Sequence, residues 1–161
     1  MNSSVIQLAD LALVWDNTRG CADLAMIDSD LASDRDLQTA VVLSLFTDRR
    51  AHSDDVPPSG DARDMRGWWA DAFADVQGDL YGSRNWLLDR SVMNNESVLR
   101  ATEFDREALQ WMLDDKVVSA IDVTVTQTST GVLHAIHLTK PSGDRTTFKF
   151  SRVFDHILED G

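Results

Sequence analysis

Residues 94–127, NNESVLRATEFDREALQWMLDDKVVSAIDVTVTQ, decide the fold class, because the spacing of apolar residues changes within them from helical to extended. Asn94 and Asn95 are residue types that cap helix N-termini, and apolar positions then recur at helical spacing, which predicts a helix over about 95–115. From Ile121 onward apolar and polar residues alternate, which is typical of a strand with one buried face. A helix followed by strands of this kind predicts an α+β fold.

The rest of the chain adds strands at both ends and one more main helix. Five runs have strand character: 11–16, 22–28, 121–127, 132–138 and 146–150. Turn residues join the first two runs into a hairpin and the last three into an antiparallel meander. Capping residues and spacing predict a first helix over about 34–48, then a loop over 51–66 and a short closing helix over 152–158. We therefore expect one domain over 1–161.

The charge balance excludes several partners. The chain has 27 acidic and 15 basic residues, a formal net charge of −12, and this field repels phosphate. Nucleic acid and anionic membrane surfaces are therefore not expected to bind. The N-terminus lacks the features of a signal peptide, and no run approaches the ~18 apolar residues of a membrane-spanning helix. Cys21 is the only cysteine, so no internal disulfide is expected and folding should take place in a reducing cytoplasm.

Arginine and tryptophan side chains in the middle of the chain are the candidates for contact with a partner protein. Both residue types are enriched among the residues that anchor protein–protein interfaces. The candidates are Arg49, Arg50, Trp68, Trp69, Arg84 and Trp86. Alternatives stay open: the two adjacent arginines could cap the first helix, and the tryptophans could fill the core. Because adjacent side chains diverge on a regular element, one of Trp68 and Trp69 could face the core and the other a partner.

The acidic residues do not form a convincing catalytic pair. A glycosidase needs two carboxylates about 5 to 10 Å apart, one of them with a pKa raised by an apolar setting. Glu103 and Glu107 are four residues apart on the second predicted helix, where a solvated face with Arg100 and Arg106 as neighbours explains them. No catalytic residue and no enzymatic activity are predicted.

The histidines do not form a metal site either. His52, Asp54 and Asp55 lie close together in the loop, but without a second cluster they are better explained as an acidic turn. His134 and His137 are three residues apart on a predicted strand, so they point to opposite faces and cannot share an ion. No metal and no other cofactor is predicted.

Four blocks of sequence carry a family resemblance: 36–51 (DLQTAVVLSLFTDRRA), 66–71 (RGWWAD), 82–90 (GSRNWLLDR) and 108–115 (ALQWMLDD). In their order and spacing, over roughly residues 11–155, they resemble the Mu-like phage tail baseplate wedge proteins. Distant relatives include the T-even wedge component, often labelled lysozyme-like, whose β-rich part initiates sheath assembly. Many of these relatives dock into the wedge through a Glu-Pro-Arg triplet. Here Asp48-Arg49-Arg50 is the nearest analogue.

The resemblance implies a structural virion protein in the baseplate of a contractile tail, assembled in the host cytoplasm. The implied partners are other wedge and hub proteins and the tail sheath or tube, with six copies in the tail. In the predicted meander, 121–127 and 146–150 are edge strands to which a partner strand could add, unless the N-terminal hairpin closes the sheet. The competing functions are a tail-associated peptidoglycan hydrolase and a small cytoplasmic adaptor.

Overall fold

The computed structural model describes residues 10–11, 13–16, 21–24, 26–27, 30–31, 33–34, 37–74, 76, 78–91, 94–129 and 131–153. The chain divides into two compact units, Met1–Leu43 and Ser44–Gly161. Helices and an antiparallel sheet confirm the predicted α+β class. That the whole chain forms a single domain stays a prediction.

The first unit contains short strands that pair two by two, all antiparallel. They are β1 (Asp10–Leu11), β2 (Leu13–Asp16), β3 (Cys21–Leu24), β4 (Met26–Ile27), β5 (Asp30–Leu31) and β6 (Ser33–Asp34). β2 pairs with β3, which confirms the predicted hairpin. β4 pairs with β5, and β1 pairs with β6 around both hairpins. Two-residue strands are too short for an alternating pattern, so the sequence indicated only the longest of the three pairs.

The first helix, α1 (Gln38–Phe46), is shorter than the predicted 34–48. The capping residues expected near its start belong in part to β6, since Asp34 pairs with Asp10. Leu37 has φ of 66°, a left-handed conformation that cannot belong to a right-handed helix. The helix therefore begins only after Leu37.

After α1 the chain pairs with a distant segment instead of continuing as a helix. The Ser83 N–H donates to the Thr47 carbonyl at 2.8 Å, and the Arg49 N–H donates to the Ser83 carbonyl at 3.0 Å. Gly82 allows this approach, because a Cβ built on it would lie 2.4 Å from the Thr47 oxygen. Arg49 and Arg50 thus lie beyond the helix, and the alternative that they cap it is wrong.

The second unit is built on α2 (Asn95–Asp114) and a three-stranded sheet. The Asn94 side chain accepts a hydrogen bond from the Ser97 N–H at 2.9 Å, so the predicted N-cap and the predicted helix are both confirmed. The strands β7 (Ala120–Gln127), β8 (Gly131–Thr139) and β9 (Arg145–Val153) follow in the order β7–β8–β9, which confirms the meander. α2 packs against β7.

One face of the sheet is buried and the other is exposed. Ile136 of β8 lies opposite Val123 of β7 and Phe148 of β9, and all three are buried. His134 is buried on this face while His137 is exposed on the other, as predicted. At the C-terminal end, β9 extends to Val153, so a helix does not begin at residue 152. The rest of the predicted closing helix lies outside the described residues.

Two 3₁₀ helices lie between α1 and α2: Trp69–Phe73 and Arg84–Leu88. Trp69–Phe73 buries none of its residues, whereas Arg84–Leu88 buries four of its five, which include Trp86. The two 3₁₀ helices therefore have different roles, one at the surface and one in the core. Within the described ranges, no helix has the length and apolar character needed to span a bilayer.

Candidate protein-binding surface

The surface around the first 3₁₀ helix carries a cluster of aromatic side chains: Trp68, Trp69, Phe73 and Tyr81, here called the aromatic patch. Trp69 and Phe73 expose 75% and 78% of their area, and Trp68 exposes 42%. Grouped apolar side chains with this much exposure mark interaction sites. The aromatic patch is therefore the candidate surface for a partner.

The rings of the patch contact one another rather than the core. The centroid of Trp68 lies 5.9 Å from that of Trp69 and 5.2 Å from that of Tyr81, and Trp69 lies 6.3 Å from Phe73. Trp68 is extended, with φ of −76° and ψ of 133°, and Trp69 begins the 3₁₀ helix. The expectation that one of these tryptophans would fill the core is wrong, because this irregular junction leaves both at the surface.

The chain is fixed on both sides of the aromatic patch. Arg66 and Gly67 have φ of 44° and 114°, and their left-handed conformations turn the chain into the patch. On the other side, the Tyr81 N–H donates to the Asp71 carboxylate at 3.1 Å. This bond ties the segment that follows the first 3₁₀ helix to the helix itself.

A groove of about 360 Å³ lies beside the tryptophans. The side chains that bound it are Arg50, Arg66, Trp68, Trp69, Asp71 and Leu80. Arg50 is exposed, and no carboxylate in the described parts of the chain pairs with it. The structure thus brings three of the sequence-predicted residues, Arg50, Trp68 and Trp69, together at one groove.

The other predicted residues have internal partners. The Arg84 guanidinium donates to Glu107 at 2.9 Å and to both oxygens of Asp55 at 2.9 and 3.1 Å. Arg49 lies 3.7 Å from Glu107. Burial raises the pKa of Asp55, but hydrogen bonds from the His52 N–H and from Arg84 outweigh it and leave that pKa below its ordinary 3.8. This ionic cluster joins the loop after α1 to α2.

Trp86 belongs to the core, with 1% of its area exposed. Its indole N–H donates to the Arg49 carbonyl at 2.8 Å, and the Arg66 guanidinium lies 4.4 Å from its ring centroid. Arg66 also donates to Asp48 at 2.8 Å. Trp86 therefore packs against Arg66, the residue that leads into the aromatic patch.

The sequence did not indicate a buried polar network that crosses the second unit. Asp105 of α2 is fully buried, and its two oxygens contact Asn85 Nδ2 and His134 Nδ1, each at 2.6 Å. Asp105 lies within the apolar stripe of α2. A carboxylate at such a position indicates a buried hydrogen-bond partner, and this was the signal in the sequence that could have predicted the network.

The carboxylates of α2 differ in their surroundings. We expected Glu103 and Glu107 to share a solvated face. Instead, Glu107 pairs with Arg84, because the second 3₁₀ helix packs against α2. The carboxylate that shares Arg84 with it, Asp55, has a lowered pKa, opposite to what a general acid needs. Among the described side chains, no three His, Cys, Asp or Glu gather as a metal site.

Comparison with known proteins identifies the family to which the chain belongs. The model of the family described as Phage protein GP46 matches residues 37–145, and the chain belongs to this family of Mu-like baseplate proteins. The chain is 40% identical over 151 residues to Baseplate protein gp46 of Escherichia phage Mu, covering 93% of this chain and 100% of that protein. It is 34% identical over 126 residues to Mu-like prophage FluMu protein gp46 of Haemophilus influenzae, covering 78% and 82%.

These relationships confirm the resemblance drawn from the four sequence blocks. The protein is a structural component of a Mu-like phage, located in the baseplate of the virion tail. The family match includes the whole segment that carries the aromatic patch and the ionic cluster.

Proposed function

We propose that this protein is a non-enzymatic wedge subunit of a contractile-tail baseplate and binds neighbouring wedge and hub proteins through the aromatic patch. The observation that carries the proposal is the exposure of Trp69 and Phe73 near Arg50, an exposed cation with no carboxylate partner among the residues that the structure describes. In this proposal Arg50, Trp68 and Trp69 contact the partner. The remaining candidates, Arg49, Arg84 and Trp86, position the contact residues through the internal bonds described above.

Sheath initiation is the second part of the proposal. β7 and β9 each have a side that no strand of the three-stranded sheet occupies. A partner strand can add to such an edge through main-chain hydrogen bonds, which would give sheath or tube subunits a template. The family relationship supports six copies, one for each wedge of a six-fold tail.

The test is co-expression with the other baseplate proteins of the same gene cluster, followed by affinity capture and sizing. We expect a stoichiometric complex that is lost when Trp69→Ala and Phe73→Ala are combined. Leu99→Ala is the matched control, because Leu99 is 65% exposed on α2, away from the patch. A monomer that binds none of these proteins would contradict the proposal. Lysis of cell walls by the protein, lost in Glu103→Gln, would contradict its non-enzymatic part.

A further inference from the structure

We infer that the groove beside the aromatic patch binds an extended segment of a neighbouring baseplate protein that carries an apolar side chain next to a carboxylate. The inference rests on the proposed function and deepens it, because it names the chemistry of the partner. Three features of the groove carry it: its aromatic wall, the exposed cation of Arg50, which has no carboxylate partner among the described residues, and the backbone contact that holds Arg50 beside the segment of that wall.

The aromatic wall requires an apolar side chain. Trp68 and Trp69 face the groove together with Leu80, and their rings are already in contact with one another. Because Trp68 is braced by Tyr81 at 5.2 Å, an incoming group does not need to order it. Rigid aromatic walls of this kind bind aliphatic and proline side chains of extended segments.

The exposed guanidinium of Arg50 is the reason to expect a carboxylate in the partner segment. Arg66 donates to Asp48, and Arg84 donates to Asp55 and Glu107, so these guanidinium groups already have anionic partners. Arg50 is exposed at the groove and has no such partner within the described residues. A guanidinium binds a carboxylate through two parallel hydrogen bonds, which fixes orientation as well as charge.

The backbone holds Arg50 at a set place relative to the wall. A Cβ built on Gly67 would lie 3.0 Å from the Arg50 Cβ, so the two backbones are in close contact. The next residue, Ala51, donates its N–H to the Met65 carbonyl at 2.9 Å. The contact between Gly67 and Arg50 therefore holds Arg50 next to the backbone that leads into Trp68. Preorganisation of this kind reduces the entropic cost of binding a partner.

The net charge argues for a partner other than a second copy of this chain. Two copies that each carry −12 repel one another. A segment of another protein is repelled only by the charges near the groove, because charges farther away than about 8 Å are screened at physiological ionic strength. Two other charged groups line the groove: Arg66 is paired with Asp48, and the Asp71 carboxylate accepts from the Tyr81 N–H. Among the described residues, Arg50 is the lining cation left to attract a carboxylate.

Two synthetic peptides that differ only in charge test the inference. One is Gly-Pro-Leu-Glu-Asp-Gly and the other Gly-Pro-Leu-Lys-Lys-Gly, each titrated into the full chain while the indole N–H resonances of Trp68 and Trp69 are followed by NMR. We expect the acidic peptide to bind at least tenfold more tightly. Arg50→Glu should reverse the order, whereas Arg106→Glu, at an exposed position on α2, should preserve it.

Equal binding of the two peptides, or binding of neither, would overturn the inference. So would a concentration-dependent dimer that Trp69→Ala abolishes, because the occupant would then be a second copy. The co-expression experiment separates the two proposals. If Trp69→Ala disrupts the complex and Arg50→Glu leaves it intact, the proposed function stands and the acidic segment does not. If the wild-type chain captures no baseplate protein, the proposed function itself is wrong.

Discussion

Asp105 of α2 and His134 of β8 form a buried hydrogen bond of 2.6 Å between Oδ2 and Nδ1, with 0% and 4% of their areas exposed. The His134 Nε2 is also buried, and no described group bonds to it. Because a carboxylate oxygen accepts hydrogen bonds, the Nδ1–H of His134 is the donor to Asp105. With Asn85 on the other oxygen, one carboxylate joins the helix, the sheet and the second 3₁₀ helix.

Removing this carboxylate should destabilise the fold strongly. Asp105→Ala leaves the donors of Asn85 and His134 buried without a partner, and at about 1–3 kcal/mol for each donor we expect the free energy of unfolding to fall by about 2–6 kcal/mol. Urea denaturation followed by far-UV circular dichroism measures it. Glu103→Ala, at an exposed position of the same helix, should change the value by less than about 0.5 kcal/mol. Equal effects of the two substitutions would contradict this account of the network.

The ionic cluster should make stability depend on pH in the acid range. The pKa of Asp55 is lower in the folded chain than its ordinary 3.8, so its contribution is complete above that value and is lost as the pH falls through the folded-state pKa. Asp55→Asn should therefore destabilise the protein at pH 7 and have a much smaller effect near pH 2. Asp54→Asn, at an exposed neighbouring position, is the control. An Asp55→Asn effect that does not change with pH would argue against the pairing.

The close contact at Gly82 should tolerate no side chain. Gly82→Ala places a Cβ 2.4 Å from the Thr47 oxygen and also strains a φ of 99°. Gly143→Ala has a comparable φ of 93° but open space around the new Cβ, so it isolates the conformational part, about 1–2 kcal/mol. We expect Gly82→Ala to cost about 1–3 kcal/mol more than Gly143→Ala in the same denaturation assay. Equal costs would show that the backbone at Thr47 moves away freely.

Trp86 and Trp69 should separate stability from binding. Trp86→Ala empties a core site and removes the bond to Arg49, so a loss of about 3–5 kcal/mol in the free energy of unfolding is expected. Trp69→Ala alters a surface ring and should change this free energy by less than about 0.5 kcal/mol. Thermal denaturation and partner capture on both variants check the contrast. A large stability loss in Trp69→Ala would weaken its use as an interface probe.

Local patterns were sufficient to predict the second unit's main elements. α2 has its cap, its acidic first turn and its apolar stripe within about twenty residues, and each meander strand has its own alternation and turn. The start of α1 could not be predicted in the same way. Its residues fit a helix from position 34 onward, but pairing of Asp34 with Asp10 and the left-handed Leu37 prevailed over that propensity.

The candidate site was predictable by residue type but not by arrangement. Arg50, Trp68 and Trp69 were selected because their chemistry is that of interface anchors, and the structure brings them to one groove. That they bind a partner stays a prediction. Arg84 and Trp86 have the same chemistry, yet their partners lie 29 and 37 residues away in Asp55 and Arg49. Pairing at such separations leaves no periodic trace in a sequence.

The pairing of Thr47 and Arg49 with Ser83 closes a loop whose two ends meet at the hydrogen bonds of 2.8 and 3.0 Å. Everything that forms the aromatic patch and its groove lies between those ends. Loop closure depends only weakly on loop length, so the part of this segment around Trp69 and Phe73 can change at a small entropic cost while Asp55 and Arg66 keep their contacts with Arg84 and Trp86. In the proposed function, related phages could therefore change the partner that is bound by replacing this part of the segment, while α2 and the sheet remain the same.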